Sequence, residues 1–175
     1  MNLVNYFDFS KCGGGKVVSK KFIKGIKYEI ANRAFALDSI GRISDRVKGR
    51  PEYTFWKSYE KLEKFSAPKY AKFAEKIGLN STPSFYTKAK AWSTSIIPIP
   101  LIDPTIKLLC FLTKIYLKDL KKLRDLGRKE DIDFLNYMVA QEELQIELME
   151  LAILKRYVRI IDKVDDFIIR NSDKN

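Results

Sequence analysis

A chain of 175 residues, 46% of them apolar and 13% aromatic, is long enough for one domain with a hydrophobic core and too short for two. The absence of histidine removes the usual general base, the commonest metal ligand and every Ser-His or Cys-His nucleophile, which excludes most enzyme classes. The two cysteines, Cys12 and Cys110, do not have the spacing of a zinc finger and are typical of a reduced, intracellular protein.

The formal net charge of +11 is distributed unevenly along the chain. Residues 1–128 carry 26 basic and 11 acidic side chains, a net charge of +15, whereas residues 129–175 carry 7 and 11, a net charge of −4. A basic surface attracts nucleic acid, anionic lipid or an acidic protein. Lysines outnumber arginines by 24 to 9, and specific recognition of phosphates and bases favours arginine, so nucleic-acid binding is not expected.

The first 18 residues are expected to be irregular. They include the glycine run Lys11-Cys12-Gly13-Gly14-Gly15-Lys16, which lacks the preceding strand and the Gly-Lys-Ser/Thr order of a P-loop and therefore favours a flexible loop. The same segment lacks the basic and apolar regions of a signal peptide, and the chain contains no run of about 18 apolar residues. A cytoplasmic protein without a transmembrane helix is therefore expected.

A single helical domain is predicted over residues 19–170, with a disordered tail over residues 171–175. Its first helix runs from about Ser19 to Val47, and its second from about Thr54 to Gly78 with a kink before Pro68. A long connection over residues 79–104 follows, containing a short helix that opens at Thr82-Pro83.

The third helix is predicted from Asp103-Pro104 to Gly127, and the fourth from about Glu130 to Ile169. The order of a short, a long and a short connection is typical of a four-helix bundle with one long crossover. The predicted fold class is therefore all-α.

Helical wheels place polar side chains on the apolar stripes of three helices. On the predicted fourth helix, the glutamates point inward while Gln141 and Gln145 point to solvent. Because an isolated buried charge is very costly, these carboxylates need Arg33, tyrosines or a bound cation as partners. The expected buried polar cluster consists of Glu29, Arg33, Tyr59, Glu63, Ser66, Tyr70, Glu143, Glu147 and Glu150.

The third helix has more apolar surface than one packing seam requires. Its inner face carries Thr113 near the centre, and further apolar and basic residues extend around the helix from the preceding connection. These residues form a candidate surface for a protein partner or, as an alternative, for peripheral contact with a membrane. They are Trp92, Ile97, Lys107, Leu108, Phe111, Lys114, Ile115 and Lys118.

The pattern of helices and glutamates resembles the ferritin-like bundles that hold a di-iron or di-manganese centre. Their site uses one lone Glu from each of two helices and a Glu-x-x-His motif from each of the other two. The resemblance equates Glu29 with the first lone Glu, Thr113 with the second, and two segments with the motifs: Glu63-Lys64-Phe65-Ser66 and Glu143-Leu144-Gln145-Ile146. Since one carboxylate and both histidines are replaced, the resemblance implies a degenerate site in which Arg33 and tyrosines neutralise the glutamates.

Three functional hypotheses follow from these patterns. The first is a non-catalytic, cytoplasmic binding protein without metal or cofactor that engages a protein partner, as an immunity or antitoxin-type protein does. The second is a ferritin-like metal-binding protein or oxidoreductase. The third is a peripheral membrane protein.

Overall fold

The computed structural model describes residues 19–79 and 98–172, and helices and turns account for both ranges. The α-helices are α1 (Lys20–Arg46), α2 (Tyr53–Lys76), α3 (Ile102–Asp125), α4 (Ile132–Ile153) and α5 (Tyr157–Ser172), with 3-10 turns at Ile99–Leu101 and Lys129–Asp131. Neither described range contains a strand, so the predicted all-α class is confirmed. The expected irregular start, the short helix at Thr82-Pro83, Trp92 and Ile97 lie outside the described residues.

Local capping interactions set the ends of α1 and α2. Ser19 caps α1, because its hydroxyl oxygen accepts a hydrogen bond from the amide of Phe22 at 3.1 Å. Gly78 ends α2 in a left-handed conformation (φ 70°), and the Leu79 amide donates to the Ala74 carbonyl at 2.8 Å. Between these ends, α2 continues through Pro68.

The single fourth helix predicted over residues 130–169 is wrong, because the chain turns between α4 and α5. Lys155 adopts a left-handed conformation (φ 56°), and the amide of Arg156 donates to the carbonyl of Leu151 at 2.8 Å. This is the same hydrogen-bonding pattern that glycine usually supports at a helix end. The sequence carries neither Gly nor Pro at this turn, so the usual signals for a helix end are missing.

Contacts between helices fix their relative directions. Glu29 lies against Tyr70 and Arg33 against Glu63, so α1 and α2 are antiparallel. In α3 and α4, ion pairs join Lys114 to Glu150 and Lys121 to Glu143, so these helices are also antiparallel.

The remaining contacts place α5 and relate the two helix pairs. On α2 and α4, Ser66 meets Tyr137 and Glu63 meets Gln145, which makes these helices antiparallel. It follows that α2 and α3 point in the same direction. The last helix, α5, packs against α2 and α4.

The buried apolar side chains form two clusters, and a layer of buried polar residues lies between them along the helices. One cluster is built around Phe22, Phe73, Leu135 and Met138. The other includes Ile40, Phe55, Trp56, Leu148, Ile160 and Phe167. The polar layer therefore separates the apolar core into two parts.

Two glycines provide a paired test of this packing. A methyl group added at Gly127 would lie 2.1 Å from Leu135 Cδ1 and 3.2 Å from Phe22, whereas one added at Gly41 would meet nothing closer than Glu60 Oε1 at 3.7 Å. We expect Gly127→Ala to lower the free energy of unfolding by about 1–3 kcal/mol through overpacking. Gly41→Ala should raise it by up to about 1 kcal/mol, because alanine favours the interior of a helix. Urea denaturation of both variants measures the difference, and a gain in stability for Gly127→Ala would contradict the described packing.

Candidate functional site

The guanidinium of Arg33 stands at the centre of the buried polar layer and binds three carboxylates from three helices. Its Nε–H donates to Glu29 Oε1 at 2.7 Å on the same helix, and its Nη1–H donates to Glu63 Oε1 on α2 at 3.0 Å. Its Nη2–H donates to Glu142 Oε2 on α4. Arg33 is 6% exposed and the three glutamates 0–3% exposed, so the group is buried. We call these four residues, together with Gln145, the Arg33 cluster.

Glutamine and tyrosine side chains provide the other hydrogen bonds of the carboxylates. Gln145 accepts from Arg33 Nη1 at 2.9 Å and donates to Glu63 Oε1 at 2.5 Å, so one amide bridges the cation and the anion. Glu29 accepts hydrogen bonds from the hydroxyls of Tyr70, at 3.2 Å, and Tyr116. Through Tyr116, α3 also reaches the cluster.

Two other residues expected in the cluster are buried beside it. Ser66 shares a hydrogen bond of 2.7 Å with the hydroxyl of Tyr137. Tyr59 packs edge-on against Phe55, with ring centroids 5.7 Å apart. Burial and the nearby carboxylate of Glu63 raise the pKa of Tyr59 well above its ordinary value, which keeps its hydroxyl protonated.

Three carboxylates around one guanidinium leave an excess of negative charge, and the pKa values reflect it. Burial and the neighbouring carboxylates raise the pKa of Glu142 to about 7, although Arg33 opposes the shift. Burial also raises the pKa of Glu63. Burial alone would lower the pKa of Arg33, but Glu142, Glu29 and Glu63 raise it well above its ordinary value. Near neutral pH the cluster therefore holds a proton on Glu142 in part of the molecules and a guanidinium charge in all of them.

The predicted burial of Glu143, Glu147 and Glu150 is wrong. Their side chains are 44–49% exposed and form surface ion pairs. The partners are Lys121 for Glu143 (2.7 Å), Lys163 for Glu147 (2.7 Å) and Lys114 for Glu150 (2.6 Å). Conversely, Gln141 and Gln145, predicted to face solvent, are buried. On α4 the acid that faces inward is therefore Glu142, and Gln145 lies one turn after it.

The predicted inner face of α4 is wrong because the predicted fourth helix joins α4 and α5. The outward apolar residues Leu154, Val158 and Ile161 belong to the turn and to α5, and they rotated the predicted inner face of α4 away from its true direction. Within α4 alone, apolar residues recur with alternating spacings of three and four: Leu135, Met138, Met149 and Ala152, all buried. Positions 142 and 145 complete that series, so this spacing could have identified both residues.

The side chains of the Arg33 cluster do not fit a di-metal centre. The guanidinium occupies the space between the three carboxylates and uses an oxygen of each. Neither histidine of the ferritin-like motifs is present: Ser66 bonds Tyr137, and Gln145 bridges Arg33 and Glu63. Thr113, equated with the second lone Glu, is half-buried, and Tyr116 is the α3 residue that reaches Glu29. In the described ranges, no three His, Cys, Asp or Glu side chains are arranged to hold a metal ion.

The second candidate site is the outward face of α3. Leu108, Phe111, Leu112 and Ile115 are 47–61% exposed, and we call these four residues the α3 surface. Lys107 and Lys118 lie beside them, and neither has a carboxylate within ion-pair distance among the described residues. Lys114, predicted as part of the surface, is paired with Glu150. Large, contiguous exposed apolar groups are typical of interaction sites.

Arg33→Ala should destabilise the protein by about 3–5 kcal/mol at neutral pH, because several buried carboxylates would lose their counter-charge. The pKa values of Glu63 and Glu142, already raised by burial, would then rise further, so the loss should be smaller at mildly acidic pH, where these two carboxyls are protonated. The matched control, Arg42→Ala, removes an exposed ion pair with Asp38 and should cost at most about 1 kcal/mol. Thermal and urea denaturation between pH 5 and pH 8 measure both. Equal stability of the parent and Arg33→Ala at all pH values would refute the role of Arg33.

Glu142→Gln tests the proton held in the cluster. The pKa of Glu142 is raised in the folded state from 4.5 to about 7, so its contribution to stability is present below pH 4.5 and is lost as the pH rises through 7. A shift of this size corresponds to about 3 kcal/mol. We expect the difference in free energy of unfolding between Glu142→Gln and the parent to change in favour of the variant as the pH rises from 5 to 8. For Glu143→Gln, at an exposed residue, the difference in free energy of unfolding from the parent should stay constant over this pH range. If the free energy of unfolding of both variants runs parallel to that of the parent from pH 5 to pH 8, Glu142 does not hold a proton.

A scan against models of protein families, a search of curated proteins and a search of solved structures each found no match to this chain. The chemistry of both sites is therefore inferred from their own side chains, distances and burial. Among the helices that the structure describes, none combines the length and the apolar character needed to cross a membrane.

Proposed function

We propose that the protein is a non-catalytic binding module, built on a ferritin-like four-helix bundle, that engages a protein partner through the α3 surface. The observation that carries this proposal is the exposure of four large apolar side chains on one helix face, among them Phe111 at 61%. An immunity or antitoxin-type protein, which acts by covering another protein, needs such a surface and no catalytic group.

The directions of the helices support the ferritin-like part of the proposal. The helices α1 and α2 form one antiparallel pair and α3 and α4 another, and α2 and α3 point the same way. A bundle with one long crossover connection has this arrangement. The fifth helix, α5, is an addition that packs against α2 and α4.

The Arg33 cluster supports a structural rather than a catalytic use of the bundle interior. If the second Glu-x-x-His motif begins at Glu142 and not at Glu143, Glu142 and Gln145 take its Glu and His positions. Glu29 and Glu63 keep the positions given above. The guanidinium of Arg33 supplies the positive charge that metal ions supply in the di-iron proteins, and it does so with hydrogen bonds of fixed direction.

The composition of the α3 surface indicates the kind of partner: a protein whose binding face is apolar at its centre and acidic around it. The surface combines apolar side chains with Lys107 and Lys118, whose ammonium groups have no carboxylate partner among the described residues. Interfaces commonly have an apolar core and a polar rim, and complementary charge increases the rate of encounter. The net charge of +11 acts in the same direction.

Capture from native cytoplasm tests the proposal. Tagged parent protein should retain a stoichiometric partner, and Phe111→Ser should lose it, because truncating a central aromatic residue often costs more than 1 kcal/mol of binding energy. Ile132→Ser, at another exposed apolar residue, is the matched control and should retain the partner. Circular dichroism checks that both variants are folded.

Two outcomes would contradict the proposal. One is the absence of any stoichiometric partner. The other is flotation of the purified protein with anionic vesicles that is lost in Phe111→Ser, which would assign the α3 surface to a membrane.

A further inference from the structure

A second exposed apolar face lies on α5 and at the turn before it. Leu154, Val158, Ile161 and Ile169 are 45–76% exposed, and we call these four residues the α5 surface. At 100° per residue Val158, Ile161 and Ile169 share one side of α5, and Leu154 lies at the turn before the helix. Asp165 lies between Ile161 and Ile169 on that side, and Asp162 and Asp166 lie beside it. Arg159 and Arg170 lie beyond the aspartates, on the side away from the apolar residues. The α5 surface is therefore an apolar strip that is interrupted by one ion-paired aspartate, Asp165, and has an acidic edge.

The charges beside the α3 and α5 surfaces are opposite and unpaired within the chain. Among the described residues, Asp162 and Asp166 have no ion-pair partner, in contrast to Asp165, which binds Lys61 at 2.6 Å. Lys107 and Lys118, beside the α3 surface, also have no ion-pair partner among those residues. An apolar strip with a basic edge and another with an acidic edge complement each other in both hydrophobicity and charge.

One copy of the chain does not pair these surfaces internally. Within the described residues, α3 contacts α1 and α4, α5 contacts α2 and α4, and α3 and α5 do not contact each other. The net charge of the sequence follows the same order: residues 1–128, which include α3, carry +15, and residues 129–175, which include α5, carry −4. A head-to-tail contact therefore brings unlike regions together, whereas a contact between two α3 surfaces brings like charges together.

We propose that the α3 surface of one copy binds the α5 surface of a second copy of the same chain. This inference rests on the proposed function, in which the α3 surface binds protein, and it names the partner. Because the two surfaces differ, the contact is heterologous, and repeated contacts form a ring or an open chain of copies. The net charge of +11 opposes association, and salt screens this repulsion as well as the attraction between the two charged edges.

Sedimentation equilibrium or light scattering of the purified chain tests the inference with paired charge reversals. The parent should show an average mass above that of one chain, 20.4 kDa, which rises with protein concentration. Lys107→Glu/Lys118→Glu and Asp162→Lys/Asp166→Lys should each remain at the mass of one chain. An equimolar mixture of the two variants should recover the larger mass, because the reversed α3 surface of one then faces the reversed α5 surface of the other.

Matched controls separate the contact from an effect of net charge. Lys24→Glu/Lys48→Glu and Glu75→Lys/Asp133→Lys change exposed residues outside both surfaces and carry the same net charges as the two test variants. Both controls should associate as the parent does. A mixture that stays monomeric, or controls that lose association, would overturn the inference.

A parent protein that is monomeric at every concentration would also overturn it. If a cytoplasmic partner is then still captured through Phe111, the proposed function stands without self-association. If no partner depends on Phe111, both proposals fail.

Discussion

The interaction on which the rest of the structure depends is the burial of the Arg33 guanidinium among Glu29, Glu63 and Glu142. A guanidinium has five N–H donors in a fixed plane, so a buried arginine is tolerated only where acceptors meet that plane from the correct directions. Here the acceptors come from α1, α2 and α4, and together they define how these helices lie along one another. Sliding any of the three by one turn would leave a buried charge without its partner. The polar layer therefore specifies one packing of the helices in a core whose apolar parts alone would accept several.

The sequence predicts the part of this arrangement that lies on α1 and α2. There, exposed lysines mark the solvent side of each helix, so the opposite stripe, with Glu29, Arg33 and Glu63, is assigned without ambiguity. On α4 no lysine marks the solvent side, because the charged residues of this helix are all acidic, and buried residues occur on several of its sides. A second glutamate directly follows the buried one, so the identity of the buried acid depends on a rotation of about 100° about the helix axis. Glu142 and Glu143 differ by that rotation.

The missed boundary at Lys155 had a physical cause of the same kind. A left-handed residue at a helix end costs about 1 kcal/mol or more when it is not glycine, and a sequence pattern therefore gives it little weight. At Lys155 tertiary contacts offset that cost: the ammonium group lies 2.5 Å from Asp103 and 3.9 Å from Glu52. These carboxylates come from the start of α3 and from the turn before α2, so their positions are set by the fold and are invisible to local propensity. The change of direction at Lys155 places one face of α5 against α2 and α4 and leaves the opposite face of α5 exposed.

The sequence separations within the Arg33 cluster have a consequence for the order of folding. Arg33 is 4 residues from Glu29 and 30 from Glu63, whereas 109 residues separate it from Glu142 and 112 from Gln145. Closing a short loop costs less chain entropy than closing a long one, so the pair of α1 and α2 can form with two of the three carboxylates already bound. Until α4 docks, the guanidinium remains hydrated on one side. We therefore expect the docking of α4 to be the step at which water leaves the cluster, and substitutions at Glu142 to act mainly on the unfolding rate.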